Sequence, residues 1–277
     1  MPHAIGYVDQ STGVLAHYAM LDRIRELASS AGWQVLRYDT STANRELILK
    51  GFGLSGGEEI FVGFRTYQDV AADYYNLVAA AFTGYVAGNS FDTQPGAKLS
   101  GIPAHNQRID YWLTVNGQRI ALAMKVGTPV YETAYVGKFL PYARPSQYPY
   151  PVICAGMLNG VSATRFSDAA HSMPYKGNRA NFCMRFNDGV WKTPECWPWG
   201  NGALAGGRQL RDTGGNYLCL PVVLHDANGL YGELDGIYQI SGFDNVVENT
   251  ADAGRLVVIQ DVARTGFNDY YAMRLDD

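Results

Sequence analysis

Between residues 14 and 30 the apolar side chains Leu15, Tyr18, Met20, Leu21, Ile24 and Leu27 recur at helical spacing, with Arg23, Arg25 and Glu26 on the other face. That spacing predicts an amphipathic helix, capped by Ser11 or Thr12 and stopped by Gly32. Residues 33–38 and 45–50 alternate like strands around the turn Thr40-Ser41-Thr42, and residues 58–66 read as a third strand. Residues 69–82 (DVAADYYNLVAAAF) are Ala-rich and read as a second helix, capped by Gln68 or Asp69 and ended at Gly84. Helix, three strands and helix suggest a small antiparallel sheet with helices on one face.

The remainder of the chain is β-rich. IDYWLTV and QRIALAMKV flank Asn116-Gly117, the strongest short hairpin signal, because both residues accept positive φ. Residues 130–140 add a strand. Residues 141–151 hold four prolines and three tyrosines, a composition of extended loop rather than helix or central strand. Further strands are expected at 181–186, 190–192, 216–224, 230–232, 236–241, 255–262 and 270–275. Residues 157–181 and 193–215 carry no repeat period and exceed ordinary loop lengths. The expected class is α+β: a mixed helix and strand part over residues 1–100, then a β-rich part with long loops over 101–277, the two forming separate or continuous domains.

Composition narrows the function classes. Charged residues are 17% against the roughly 25% of an ordinary domain, while hydrophobic residues reach 47%, which excludes a disordered chain. The net charge of −4 lacks the cation excess that a nucleic-acid binder needs. Residues 1–6 show neither a basic segment nor a long apolar one, so no signal peptide is expected, and no window reaches a membrane span. Cys154, Cys183, Cys196 and Cys219 contain no Cys-x-x-Cys spacing, so they read as reduced, mostly buried thiols rather than zinc ligands.

Four motifs were weighed for chemistry. Gly51-Phe52-Gly53-Leu54-Ser55-Gly56 has the letters of a dinucleotide loop, but a strand follows it where a helix is required, so a loop between strands is the better reading. Asp168, His171 and Ser172 carry the letters of a triad, yet neighbours on one loop rarely reach triad geometry, and local side-chain to backbone bonds suit them better. Glu233 and Asp235 lie two apart on a strand, so their carboxyls could converge as glycosidase acids do, with aromatic loops supplying sugar stacking. The bland alternative is a turn whose acids take backbone amides or pair with arginine. The five histidines, at 3, 17, 105, 171 and 225, show no metal-ligand spacing, and His17 reads as an ordinary histidine of the first helix. Neither metal nor cofactor is expected.

Four stretches carry a resemblance: EEIFVGFRTYQD (58–69), GTPVYETAYVGKFLP (127–141), GELDGIYQISGF (232–243) and VIQDVARTGFNDYYAMRL (258–275). Through them the chain resembles virion structural proteins of tailed bacteriophages and prophages, from about residue 33 to its end. The resemblance implies a tail or baseplate component, made in the host cytoplasm, whose partners are other virion proteins and copies of itself. It brings no catalytic residues, so no enzyme is expected. Interfaces favour aromatic residues and Arg over Lys, and 19 Tyr with six lysines among 22 basic residues fit that bias. Tyr142, Tyr148, Tyr150, Trp197 and Trp199, on the irregular segments, are the candidate interface residues. The alternatives are a glycan-binding or glycan-cleaving tail module and a capsid-decoration or neck protein.

Overall fold

The computed structural model describes residues 2–142, 152–161, 163–168, 171–176, 181–185, 189–201, 211–242 and 244–277. In chain order the first elements are β1 (His3–Asp9), α1 (Ala16–Ser30), β2 (Gln34–Asp39), β3 (Glu46–Gly51), β4 (Ile60–Asp69), β5 (Tyr74–Phe82) and β6 (Lys98–Ile102). There follow β7 (Arg108–Val115), β8 (Arg119–Gly127), β9 (Val130–Lys138), β10 (Leu140–Pro141), β11 (Val152–Ala155), β12 (Leu158–Asn159), β13 (Phe182–Arg185) and β14 (Trp191–Lys192). The last are β15 (Glu195–Trp197), β16 (Cys219–Asp226), β17 (Gly229–Ile240), β18 (Thr250–Ala251), β19 (Leu256–Gln260) and β20 (Tyr270–Arg274).

These strands form three antiparallel sheets. The first runs β1-β7-β8-β9-β11-β13-β14, the second β12-β6-β5-β4-β3-β2, and the third β15-β16-β17-β20-β19-β18, with β10 also on β17. The α+β expectation is therefore corrected: the fold is mostly β, with one α-helix among the described residues. The error lies in residues 69–82. Asp69 does not cap a helix; its Oδ1 accepts the Ala71 and Ala72 amides, closing a turn in which Asp73 takes φ +57. The chain then re-enters the sheet as β5, central between β4 and β6, and all but its first residue is buried. A strand covered on both faces shows no alternation, and its alanines let neighbouring layers approach closely, so its letters mimic a helix.

The first helix falls close to its expected place. Ser11 and Thr12 do not cap it; the Ala16 amide instead donates to the Asn106 carbonyl at 2.8 Å, and Gly32, at φ +87, ends it. Its buried side chains Ala16, Met20, Leu21, Ile24 and Ala28 belong to the one core to which all three sheets contribute, with His17 buried on the same helix. The Asn116-Gly117 hairpin forms, but neither residue has positive φ. Asn116 Oδ1 accepts the Gln118 and Arg119 amides, and a Cβ on Gly117 would lie 2.8 Å from the Gly53 carbonyl oxygen. Glycine is needed here for close approach rather than for its dihedral freedom. The Gly51–Gly56 stretch joins β3 to β4, as read.

The first sheet is the middle layer. Its rows Trp112–Ala123–Thr133 and Thr114–Ala121–Tyr135 lie on one face and meet the third sheet, where Tyr271 Oη donates to Thr133 Oγ1 at 2.6 Å. The alternate rows, Leu113–Leu122–Ala134 and Val115–Ile120–Val136, turn to α1 and the second sheet. Residues on both sides of position 100 share sheets: β1 pairs with β7, and β6 runs across that position. The four cysteines are free thiols, three of them buried.

Candidate functional site

The three layers leave a cavity of about 740 Å³ where they meet. The end of α1 supplies Ala31, the β3–β4 loop Leu54, the β7–β8 turn Asn116, and the third sheet Leu140, Asp235 and Arg274. Positions 2, 276 and 277 complete the wall, so both ends of the described chain converge here.

The floor is an ion network assembled from distant strands. Arg119, on β8, is fully buried. Its Nη2 donates to Asp276 Oδ2 at 2.5 Å, and its Nη1 reaches the Thr114 carbonyl and hydroxyl at 3.3 Å. Asp235 accepts from Asn116 at 2.9 Å, Gln118 at 2.8 Å and Arg274 at 2.7 Å, with Arg119 Nε 3.6 Å away. Arg274 Nε closes the ring on Asp276 Oδ1 at 2.7 Å. Gly236, at φ +74, leaves the space: a Cβ there would sit 2.6 Å from Arg119 Nη2. Burial pushes the Asp235 carboxyl up, but Arg119, Asn116, Gln118 and Arg274 outweigh it and hold it below the ordinary carboxylate range. Two guanidinium groups balance two carboxylates, with Arg119 Nε left without a hydrogen bond, and the network clamps the β7–β8 hairpin, β17 and the segment after β20 together.

The paired-carboxylate motif thus divides. Asp235 is held ionised among cations and has no proton to give at neutral pH. Glu233 accepts instead from Tyr142 Oη at 2.7 Å, across the β10–β17 contact. Around the cavity mouth Leu54 and Leu140 are exposed, at 66% and 40%. The rim is thus apolar, the floor pairs Arg119 and Arg274 with Asp235 and Asp276, and Asp277 adds an exposed acid to the wall.

The expected interface aromatics separate. Tyr142, half-exposed beside this rim, donates its amide to the Tyr231 carbonyl at 3.0 Å; burial and the Glu233 hydrogen bond push its hydroxyl up to about 12. Trp197 is half-buried at the end of β15. Trp199 is a core residue: buried, its Nε1 donates to the Asn268 carbonyl at 3.0 Å and its ring stacks on Tyr175. Tyr148 and Tyr150 lie outside the described residues.

A second buried cluster replaces the 168–172 motif. His171 Nε2 shares a hydrogen bond with Glu132 Oε1 at 2.7 Å, whereas Asp168 is exposed and takes the Arg165 amide. Complete burial pushes Glu132 up to about 7, against the His171 hydrogen bond. Asp261 accepts the Met173 amide at 2.6 Å and lies 3.2 Å from both Lys176 Nζ and Arg264 Nη1. His17 is buried against Tyr18 and Tyr75, and burial pushes its imidazole down to about 3. Among the described residues no group of His, Cys, Asp and Glu could hold a metal ion, and no helix is long and apolar enough to cross a membrane. Arg119, Glu132 and Asp276 escaped the sequence reading, because their partners lie far away in the chain.

No protein-family model matches the chain, and no curated protein matches it.

Proposed function

We propose that this chain is a structural component of a bacteriophage particle, in the tail or baseplate, working through contacts with neighbouring virion subunits. The family resemblance of residues 58–69, 127–141, 232–243 and 258–275 motivates the particle. The observation that carries the assembly role is the junction cavity. The charges of its floor pair with one another, Asp277 stands exposed at its wall, and its open mouth is rimmed by exposed Leu54 and Leu140. Such a mouth suits an apolar side chain of a neighbouring subunit, since filling it leaves the floor's ion pairs intact and Asp277 at the surface.

The test is composition and incorporation. Mass spectrometry of purified particles should find the protein at stoichiometric copy number. A Leu54→Asp, Leu140→Asp variant should fold in isolation yet fail to enter particles. Absence from purified particles would sink the reading, and full incorporation of the double variant would sink the role of the cavity mouth.

A further inference from the structure

Among the described residues the three sheets end in six edge strands, besides the two-residue β10 on β17, and four of these six (β12, β14, β15 and β18) are two or three residues long. Short edges offer little to pair with. The fifth, β2, is guarded. Its register breaks between Val35 and Arg37, and Arg37 is engaged by Glu46 and by the carbonyls of Ala87 and Asn89. A bulge and a charge are devices that keep an edge from pairing.

The sixth, β1, has no bulge, and its one acid, Asp9, sits at its end and accepts from the Ser11 amide. It holds seven residues, keeps unbroken register with β7, and contains no Pro, Lys or Arg. Two hydrogen bonds define which of its backbone groups are used: the Val115 amide donates to the Pro2 carbonyl at 2.7 Å, and the Gln10 amide to the Gln107 carbonyl at 3.0 Å. Even-numbered residues therefore bond to β7. The N–H and C=O groups of His3, Ile5, Tyr7 and Asp9 point away from the sheet, with no partner among the described residues. The side chains of these odd-numbered residues share one face, on which Ile5 is 52% and Tyr7 56% exposed.

We propose that β1 is the surface through which this chain pairs with a second copy of itself, strand to antiparallel strand, about a two-fold axis at Gly6. The strand is complementary to itself in that register. His3 faces Asp9 of the other copy, Ala4 faces Val8, and Ile5 faces Tyr7. All four outward-pointing residues fall at hydrogen-bonded positions, so each donates and accepts across the axis. The two exposed apolar residues of each copy close into one stripe, and at either end His3, whose Nδ1 meets the Asp276 carbonyl oxygen, lies opposite Asp9, whose Oδ1 accepts from the Ser11 amide. A slip by one residue would set the even-numbered backbone groups, already used by β7, against the partner. A symmetric interface of this kind closes on two copies. The proposal concerns the isolated chain and stands apart from its place in a particle.

Sedimentation of the isolated protein from micromolar to submillimolar concentration should show a monomer–dimer equilibrium. Ile5→Lys with Tyr7→Lys, at exposed positions, should weaken it at least about tenfold. Gly6→Cys should form a disulfide-linked dimer under mild oxidation, where wild type does not. Opposite residues at a non-hydrogen-bonded position lie within disulfide reach, and the new Cβ needs only a small shift of the Tyr111 hydroxyl, 3.2 Å away. Hydrogen exchange on the wild-type chain needs no variant: the Ile5 and Tyr7 amides should gain protection as concentration rises. A chain that stays monomeric throughout, or a dimer that survives the double lysine variant or leaves both amides unprotected, would overturn the proposal.

Discussion

Arg119→Met tests whether the junction is a clamp. The substitution keeps the length of the side chain and removes its charge. Three contacts go: the 2.5 Å bond to Asp276, the Nη1 bonds to Thr114, and the 3.6 Å approach to Asp235. Buried Asp235 and part-buried Asp276 are then left with one cation, Arg274. They are not stranded, because Asp235 keeps Asn116, Gln118 and Arg274, and Asp276 keeps Arg274 and the Thr114 hydroxyl. Breaking a buried pair costs roughly 3–5 kcal/mol, so the expected loss lies at the lower end, about 3 kcal/mol. Urea unfolding followed by tryptophan fluorescence should show it as a lower midpoint at unchanged slope. The acid limb should move too. Asp235 has a folded value below its unfolded one, so its contribution is present above the unfolded value and is lost as pH falls through the folded one. Without Arg119 the folded value rises toward the unfolded one, so that loss should be smaller and be complete at higher pH. Combining Arg119→Met with Asp276→Asn should cost less than the two changes added, since each removes the other's partner. A loss under about 1 kcal/mol, or strict additivity of the pair, would refute the clamp.

Three further outcomes follow from burial. Glu132 has a folded value of about 7 against 4.5 for the free group, so its contribution is full below 4.5 and is lost as pH rises toward 7. That loss is at most roughly 3 kcal/mol, and stability curves of Glu132→Gln should lack it; an unchanged curve would contradict the assignment. His17 has the opposite sign: its folded value of about 3 lies below 6.5, so stability falls as pH drops through that window. The fall is up to roughly 5 kcal/mol, and His17→Phe should flatten it in acid unfolding. Trp199→Ala should cost about 3–5 kcal/mol as a core cavity, while Tyr142→Ala should cost less than about 1 kcal/mol; comparable losses in thermal unfolding would reverse their placement.

Strand content was largely legible. The alternation at 33–38, 45–50 and 58–66 marks β2, β3 and β4, and the Asn-Gly hairpin marks β7 and β8, because those strands are bounded by turn residues that announce themselves. β5 was not legible, because a strand covered on both faces loses the period that would distinguish it. The ion network was half legible. Asp235 stood out beside Glu233, but nothing near it in sequence names Arg119, 116 positions earlier, or Arg274, 39 positions later. Its chemistry turned on those partners. A carboxylate read alone is a candidate acid; the same carboxylate between two guanidinium groups is a structural anion. Trp199 shows the reverse case. A tryptophan between Pro198 and Gly200 reads as a loop ornament, yet its indole N–H reaches a backbone carbonyl while its ring fills the core.

Where the buried charges sit also explains what they are for. Arg119 joins the β7–β8 hairpin to β17 and the residues after β20. Lys138, at the end of β9, meets Glu58, just before β4, at 2.6 Å. Glu132, on β9, meets His171 and lies near Asp261, just after β19. Each pair spans a boundary between elements rather than the middle of one. Apolar residues of equal volume would hold such boundaries as firmly, because desolvation consumes most of what an ion pair gains. They would hold them less selectively. Apolar faces slide over one another at small cost, whereas a strand slipped by one residue turns its charge to the wrong side and buries it without a partner. Three sheets that share one core can stack in several ways, and charges at the seams penalise all but one. In a chain with only 17% charged residues, placing several of them at the seams goes with a surface that leaves apolar positions such as Ile5, Tyr7, Leu54 and Leu140 in the open. The same economy of charge that penalises misstacked sheets leaves these apolar positions uncovered.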